Sequence, residues 1–180
     1  AIRLALLSSI HKANKDGLLH VVTTNIEHPA ITVCLNSYVH DGGLTPTITV
    51  TEVTVDEFGV VSTKDVIDAI QENTALVTIM TANNEVGSLQ PVFELAKICR
   101  KKKILFHTDA AQSVGKVPTR VDELGVDFLT IAGHKLYAPK GIGALYIREG
   151  NELEPLIHGA GHELGRRAGT ESALLTAALG

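Results

Sequence analysis

The chain has 180 residues and a net charge of −4, and 44% of its residues are hydrophobic. These values predict one globular domain with its own core and exclude a disordered chain, and the acidic charge speaks against a nucleic-acid or membrane surface. No apolar stretch is long enough to span a bilayer. Cys34 and Cys99 are too few for a disulfide framework, which favours a reducing compartment. We therefore expect a cytoplasmic protein, with an organelle as the alternative.

The spacing of apolar residues predicts helices and strands that alternate along the chain. In order, the first half predicts a helix over 2–10, a strand over 18–23, a helix from Pro29, a strand over 47–55 and a helix from Ser62 to Ile70. The second half predicts a strand over 75–80, a helix from Pro91, a strand over 104–108, a short helix after Ala110, a strand over 126–132 and a hairpin-like stretch over 141–147. This pattern predicts an α/β domain whose sheet is mostly parallel and has helices on both faces.

Polar side chains follow four of the predicted strands. They are Glu27 and His28 after the first, Asn83 and Asn84 after the third, Asp109 and Gln112 after the fourth, and His134 and Lys135 after the fifth. The carboxyl ends of parallel strands line the ligand crevice, so Asp109 and Lys135 could face one small molecule from two sides. Pyridoxal phosphate needs this pair, because a lysine forms a Schiff base with its aldehyde and an acid keeps its ring nitrogen protonated.

Each of these residues also has a simpler interpretation. Lys135 could be an ordinary surface lysine, although its place behind an apolar strand predicts a partly desolvated amine. A metal site is a further alternative, through His107 and Asp109 or through His158 and His162. The second pair lies in a glycine-rich stretch that is a poor helix, so it lacks the geometry of a helical metal-binding pair. We expect no metal site.

Five segments resemble the class V, pyridoxal-phosphate-dependent cysteine desulfurase and selenocysteine lyase family (NifS-like), in the order in which that family has them. They are Glu27-His-Pro-Ala30, Met80-Thr-Ala-Asn-Asn-Glu-Val-Gly87, Phe106-His-Thr-Asp-Ala-Ala-Gln112, Gly133-His-Lys-Leu-Tyr-Ala-Pro-Lys-Gly-Ile-Gly143, and Gly161-His-Glu with Arg166-Arg-Ala-Gly-Thr-Glu171. The resemblance implies the large domain of the fold type I pyridoxal-phosphate enzymes, in incomplete form.

The resemblance also implies a role for each site residue. Lys135 would carry the Schiff base, Asp109 would pair with the ring nitrogen, and Gln112 would bond the phenolic oxygen. His28 would stack on the ring, and Asn84 would assist near the ring oxygen. His134 would contact the phosphate, and Thr170 would reach the phosphate bound by the partner subunit. Of these, Lys135 and His28 are the implied catalytic residues. The implied assembly is a homodimer.

The chain departs from the family pattern in three ways. Ala132 stands where the family often has a phosphate-binding serine. The family's phosphate loop would precede residue 1, and its small domain, with the sulfur-accepting cysteine, would follow Gly180. We therefore expect residues 1–180 to be the central part of the cofactor-binding large domain. The chain starts with Ala1 in what looks like mid-helix, which also indicates a piece of a longer protein, with only weak signal-peptide character.

The implied reaction removes sulfur from cysteine, or selenium from selenocysteine, and leaves alanine. A sulfur-acceptor protein and a place in iron–sulfur cluster assembly would follow from it. Two alternatives remain open. One is another class V enzyme, such as an aminotransferase or a kynureninase-like hydrolase, and the other is a truncated, non-catalytic paralogue that acts as a dimer partner.

Overall fold

A computed structural model describes residues 18–39 and 48–180 of the chain. The helix predicted over 2–10 and the first residue of the strand predicted over 47–55 lie outside these ranges. The described residues form a six-stranded sheet in the order β2-β1-β3-β4-β5-β6. The strands are β1 (Leu19–Thr24), β2 (Ile48–Val53), β3 (Thr74–Thr78), β4 (Leu105–Asp109), β5 (Phe128–Ala132) and β6 (Gly143–Ile147). All neighbours pair in parallel except β5 and β6, which pair antiparallel.

Helices connect the parallel strands, as the sequence predicts. The α-helices are α1 (Pro29–Val39), α2 (Thr63–Asp68), α3 (Val92–Lys101), α4 (Val121–Leu124) and α5 (Ala173–Leu179), and two 3-10 helices are η1 (Gly133–Leu136) and η2 (His162–Gly165). The longest, α1, has 11 residues. Within the described ranges, no helix has the length and apolar character needed to cross a bilayer.

The central strands are buried on both faces of the sheet. Successive residues of a strand point to opposite faces, and accordingly Val22 and Val77 pack into one apolar cluster while Val21 and Leu76 pack into another. Helices α2 and α3 contribute to the first cluster, and α1 contributes to the second. The predicted fold class, a mostly parallel sheet with helices on both sides, is confirmed.

The helix ends follow from local chemistry. The Ser62 hydroxyl accepts a hydrogen bond from the backbone N–H of Asp65 at 3.3 Å and caps α2, as the sequence predicts. Pro91 directly precedes α3, where its missing N–H costs no helical hydrogen bond. Arg100 and Lys101 lie in the last turn of α3, where cations interact favourably with the helix dipole.

The short helix predicted after Ala110 is wrong. Residues 111–116 form turns in which the N–H groups of Ser113 and Val114 both donate to the Ala110 carbonyl at 3.1 Å. Gly115 then adopts a φ of +75°, which an α-helix cannot continue. A Cβ added to Gly115 would lie 2.9 Å from Leu136 Cδ2, so this turn packs tightly against η1.

The middle of the sheet contains a buried histidine. His20, on β1, has no exposed surface, and its two ring nitrogens lie 2.8 Å from the hydroxyls of Thr74 on β3 and Thr51 on β2. Burial lowers the pKa of His20. The ring therefore bridges three neighbouring strands as a neutral group.

The start of η1 is packed too tightly for a side chain. A Cβ added to Gly133 would lie 2.8 Å from both the carbonyl oxygen and Cγ2 of Ile142, and 3.3 Å from Leu179 Cδ1 on α5. The segment that leads from β5 to Lys135 is therefore fixed between the residue that precedes β6 and the last turn of α5.

We predict that Gly133→Ala destabilises the full-length protein by about 1–3 kcal/mol, because the added methyl group overlaps backbone as well as side-chain atoms. Urea unfolding measures this change. Gly161→Ala is the matched control, since a Cβ at Gly161 meets nothing within 4 Å. Equal stability of the two variants would show that the backbone at Gly133 yields without cost.

Candidate active site

The parallel sheet brings four strand ends together at one edge. Strands β1, β3, β4 and β5 are consecutive neighbours in the sheet and run in the same direction. The predicted site residues follow these four strands, so they lie side by side along the carboxyl edge, where α/β proteins bind their ligands.

Asp109 is the last residue of β4 and is 6% exposed. Its Oδ1 accepts the N–H of Ala111 at 2.9 Å, and its backbone carbonyl accepts the N–H of Thr81 at 2.9 Å. Burial raises the pKa of the Asp109 carboxyl, and the hydrogen bond from Ala111 and the nearby His28 imidazole oppose that rise. The structure thus places His28 within electrostatic reach of Asp109.

His28 and Asn84 are exposed and line the same cleft, which has a volume of about 430 Å³. The Nδ1 atom of His28 accepts the N–H of Ala30 at 3.1 Å. In the neutral ring this leaves the proton on Nε2, so His28 can act as a hydrogen-bond donor into the cleft. The lining of this cleft includes Glu27 but not Asp109, Gln112 or Lys135.

Asn83 fixes the loop that carries Asn84. Its Oδ1 accepts the N–H groups of Glu85 and Val86, each at 2.9 Å. Its Nδ2 donates to the carbonyl of Ile26 at 3.1 Å. The buried amide therefore joins the segment after β1 to the segment after β3, next to the cleft.

Gln112 and Lys135 lie on two segments that pack together. Gln112 is half-buried in the turn after Asp109, and its Oε1 accepts the Lys116 ammonium at 2.7 Å. His134 and Lys135 are both exposed on η1, which packs on this turn through Leu136. The expectation of a partly desolvated Lys135 is wrong for this chain, because η1 carries the side chain beyond the buried part of β5.

Thr170 lies apart from the strand ends in sequence and is exposed in the loop before α5. The preceding residue, Gly169, donates its N–H to His162 Nδ1 at 3.3 Å. Helix α5 itself approaches the start of η1 through Leu179. The helix that follows Thr170 thus packs on the element that carries Lys135.

Glu27, like Asn83, follows a strand but has no role implied by the sequence. It is 8% exposed, and its Oε1 accepts the Thr24 hydroxyl and the Met80 N–H, both at 2.8 Å. Burial, with a smaller contribution from Asp109, raises the pKa of Glu27 to about 8. The available signal was an acidic residue three positions after an apolar strand, where a carboxyl group is expensive to desolvate.

His107, considered above as a metal ligand, has two protein partners instead. Its ring nitrogens lie 2.8 Å from the Thr78 hydroxyl and 2.9 Å from the Thr130 hydroxyl. Full burial lowers the pKa of His107 to about 3. In the part of the chain that the structure describes, no group of three or more His, Cys, Asp or Glu residues could hold a metal ion.

The two cysteines lie away from the strand ends. Cys99 is buried in the apolar cluster beneath α3, and burial raises the pKa of its thiol to about 12. A thiol that stays protonated is a poor nucleophile. Cys34 is half-buried on α1. Cys99 therefore serves core packing.

Comparisons with known proteins agree with this architecture. The family model for aminotransferase class-V matches residues 1–172. The chain is 44% identical over 165 residues to cysteine desulfurase IscS of Clostridium botulinum strain Kyoto, covering 92% of the chain and 40% of that protein. It is 42% identical to the mitochondrial cysteine desulfurase of Saccharomyces cerevisiae, covering 97% of the chain and 34% of that protein. The chain therefore spans less than half the length of these curated relatives.

Solved structures give the same result. A structure described as SspA in complex with cysteine superposes with a TM-score of 0.88 at 39% identity, covering 98% of this chain and 50% of that chain. A NifS-like protein superposes with a TM-score of 0.89 at 38% identity, covering 99% of this chain and 48% of that chain. The six-stranded sheet is thus an arrangement that this chain shares with solved proteins of clearly related sequence.

The buried His107 predicts a stability that falls with acid. Its pKa is about 3 in the fold against an ordinary value of 6.5, so between these values the unfolded chain binds a proton that the folded chain does not. We expect the free energy of unfolding to fall by up to about 1.4 kcal/mol per pH unit over this window. Unfolding of the full-length protein across pH measures the slope. His107→Gln should reduce this dependence of the unfolding free energy on pH. His158→Gln, at an exposed histidine, should leave it unchanged. An unchanged slope in His107→Gln contradicts the assignment.

Proposed function

Because the chain belongs to the aminotransferase class-V family, we propose that the full-length protein is a pyridoxal-phosphate-dependent cysteine desulfurase, which removes sulfur from L-cysteine and leaves alanine. One observation carries the proposal. A buried carboxyl group, Asp109, lies at the carboxyl edge of the sheet, and the strand next to it leads directly to Lys135. The names of the curated relatives support the choice of reaction.

The donor set at this edge fits the cofactor. Lys135 would hold it covalently through its amine, and Asp109 would bond the protonated ring nitrogen. Burial at the end of β4 suits Asp109 to that task, because a charge pair is stronger where water is excluded. The other implied contacts are Gln112 and Asn84 at the ring oxygen, His28 over the ring face, and His134 and Thr170 at phosphates.

When bound, pyridoxal phosphate withdraws electrons from the α-carbon of an amino acid and so weakens its bonds. The chain's own residues would hold and orient the reacting groups. His28 keeps Nδ1 bonded to Ala30, so its Nε2 can donate a proton to a group in the cleft. Asp109 would supply the negative charge for the ring nitrogen, and Asn84, on a loop fixed by Asn83, would supply an amide for the substrate.

The sulfur must pass to an acceptor. Cys99 does not suit this role, because its thiol is buried and stays protonated. Cys34 lies half-buried on α1 and packs against the apolar cluster that contains Ile31 and Leu35. We propose that the acceptor is a cysteine elsewhere in the full-length protein or in a separate sulfur-acceptor protein.

Cysteine is the preferred substrate of the proposal, since one solved relative is described as a complex with cysteine. Selenocysteine remains the alternative substrate, and an assay of both amino acids decides between them.

We further propose a homodimer in which the exposed Thr170 of each subunit reaches the phosphate bound by the other. The exposure of Thr170 in the single chain supports this arrangement.

We predict that Lys135→Ala abolishes alanine formation from L-cysteine in the full-length protein, because no other amine at this edge follows β5 as closely. Borohydride reduction followed by peptide mapping should place the cofactor label on Lys135. Lys140→Ala is the matched control, as Lys140 is an exposed lysine in the next turn. A label on Lys140 or Lys116 would overturn the assignment, and normal alanine formation by Lys135→Ala would overturn the function.

For Asp109→Asn we expect the cofactor to remain bound while turnover falls by at least about a hundredfold. The neutral amide keeps the size of the side chain but cannot hold the ring nitrogen protonated. Absorbance of the bound cofactor and the rate of alanine formation separate the two effects. Asp122→Asn, at an exposed carboxyl group on α4, controls for the loss of one charge. Near-normal turnover in Asp109→Asn would remove Asp109 from this role.

A further inference from the structure

Glu27 holds two segments of the candidate site together. Its Oε1 accepts one hydrogen bond from Thr24, at the end of β1, and one from the backbone of Met80, just beyond β3. Residue 28, the histidine of the cleft, follows Glu27 directly, and the loop with Asn84 begins three residues after Met80. The carboxyl group therefore lies where a shift of either segment would change the cleft.

The second oxygen of Glu27 is in a different situation. Oε2 is buried and has no hydrogen-bond partner in the described part of the chain. Buried polar atoms are almost always bonded, so an unbonded one needs an explanation. Since Oε1 already accepts two donors, the proton of a neutral Glu27 must be on Oε2.

Burial favours that neutral form most, and the charge of Asp109 adds a smaller effect. In the described residues, the ionised group that acts on Glu27 is Asp109 on β4, and His28 acts in turn on Asp109. Two neighbouring carboxyl groups in a buried site do not both ionise without a large cost. Asp109 accepts the Ala111 N–H and has the His28 imidazole nearby, and both favour its charge. Glu27 accepts two donors through Oε1, but its buried Oε2 has no partner to stabilise a charge in the described residues. Glu27 is then the member of the pair that keeps a proton.

We propose that Glu27 is a positioning residue: its neutral carboxyl group, with the proton on Oε2, holds the segments of His28 and Asn84 together and leaves the negative charge of this edge to Asp109. The proposal deepens the proposed function, because it explains how Asp109 is the one anion at the ring nitrogen. A carboxylate at Glu27 would place a second negative charge at this edge and would compete with Asp109 for any proton between them.

A merely structural glutamate would make the same hydrogen bonds without responding to Asp109, so the decisive measurement is the ionisation of Glu27 itself. Infrared spectroscopy of the cofactor-free full-length protein, with isotope-labelled glutamate, detects a protonated carboxyl group directly. We expect a band of neutral glutamic acid at neutral pH that disappears with a midpoint near pH 8 and is missing in Glu27→Gln. The band should remain in Glu52→Gln, the control at an exposed carboxyl group on β2.

Two further variants test the direction of the coupling. Asp109→Asn removes the neighbouring negative charge, so the midpoint should fall. Thr24→Val removes a donor that stabilises the ionised form, so the midpoint should rise. The absence of the band, its persistence in Glu27→Gln, or an unchanged midpoint in Asp109→Asn would each overturn the proposal.

The positioning role has its own test in the affinity for pyridoxal phosphate. Glu27→Gln retains a neutral side chain whose amide oxygen can accept both donors, so its affinity should stay within about twofold of the original. Glu27→Leu leaves the Met80 N–H without an acceptor and should lose at least about tenfold. Equal affinity of the two variants would overturn the positioning role. Because the infrared band is measured without cofactor, it reports on Glu27 even if the protein proves not to be a desulfurase.

Discussion

The parallel pairing of β1, β3, β4 and β5 is the constraint on which the site depends. Parallel strands run in the same direction, so all four carboxyl ends meet at one edge. Short polar segments after each strand therefore become neighbours although up to about a hundred residues separate them. The ladder continues past the strands, since the Asp109 carbonyl accepts the Thr81 N–H and the Ala110 N–H donates to Thr130. These bonds keep the buried carboxyl group in place.

Burial on both faces of the sheet also decides the state of its polar side chains. His20 and His107 each lie between two threonines of neighbouring strands, and burial lowers the pKa of both rings. Both are therefore neutral links of the sheet. Glu27 differs, because one of its oxygens is unpaired in the described residues and its environment responds to Asp109. Loss of water is the common cause. It favours the neutral form of both histidines and, in our proposal, the neutral form of Glu27.

The sequence predicted much of this because the strands are short and apolar and end in polar residues. The fold class and the starts of α2 and α3 are confirmed. The helix after Ala110 was wrong, since Gly115 takes a left-handed conformation that apolar spacing does not reveal. The exposure of Lys135 was also missed, because periodicity does not show that η1 extends the chain past the end of β5. The roles of the site residues remain predictions.

By itself, the sequence determined the strand order along the chain, the residue types that follow each strand, and the chemistry that those types can supply. These are properties of local spacing and composition, which a chain carries before it folds. Only the tertiary structure decided which of these groups are neighbours and which are buried away from solvent. Asp109 and Glu27 are 82 positions apart, and their interaction exists only because β1, β3 and β4 pair side by side. Ionisation depends on solvent and neighbours, and both are set by packing.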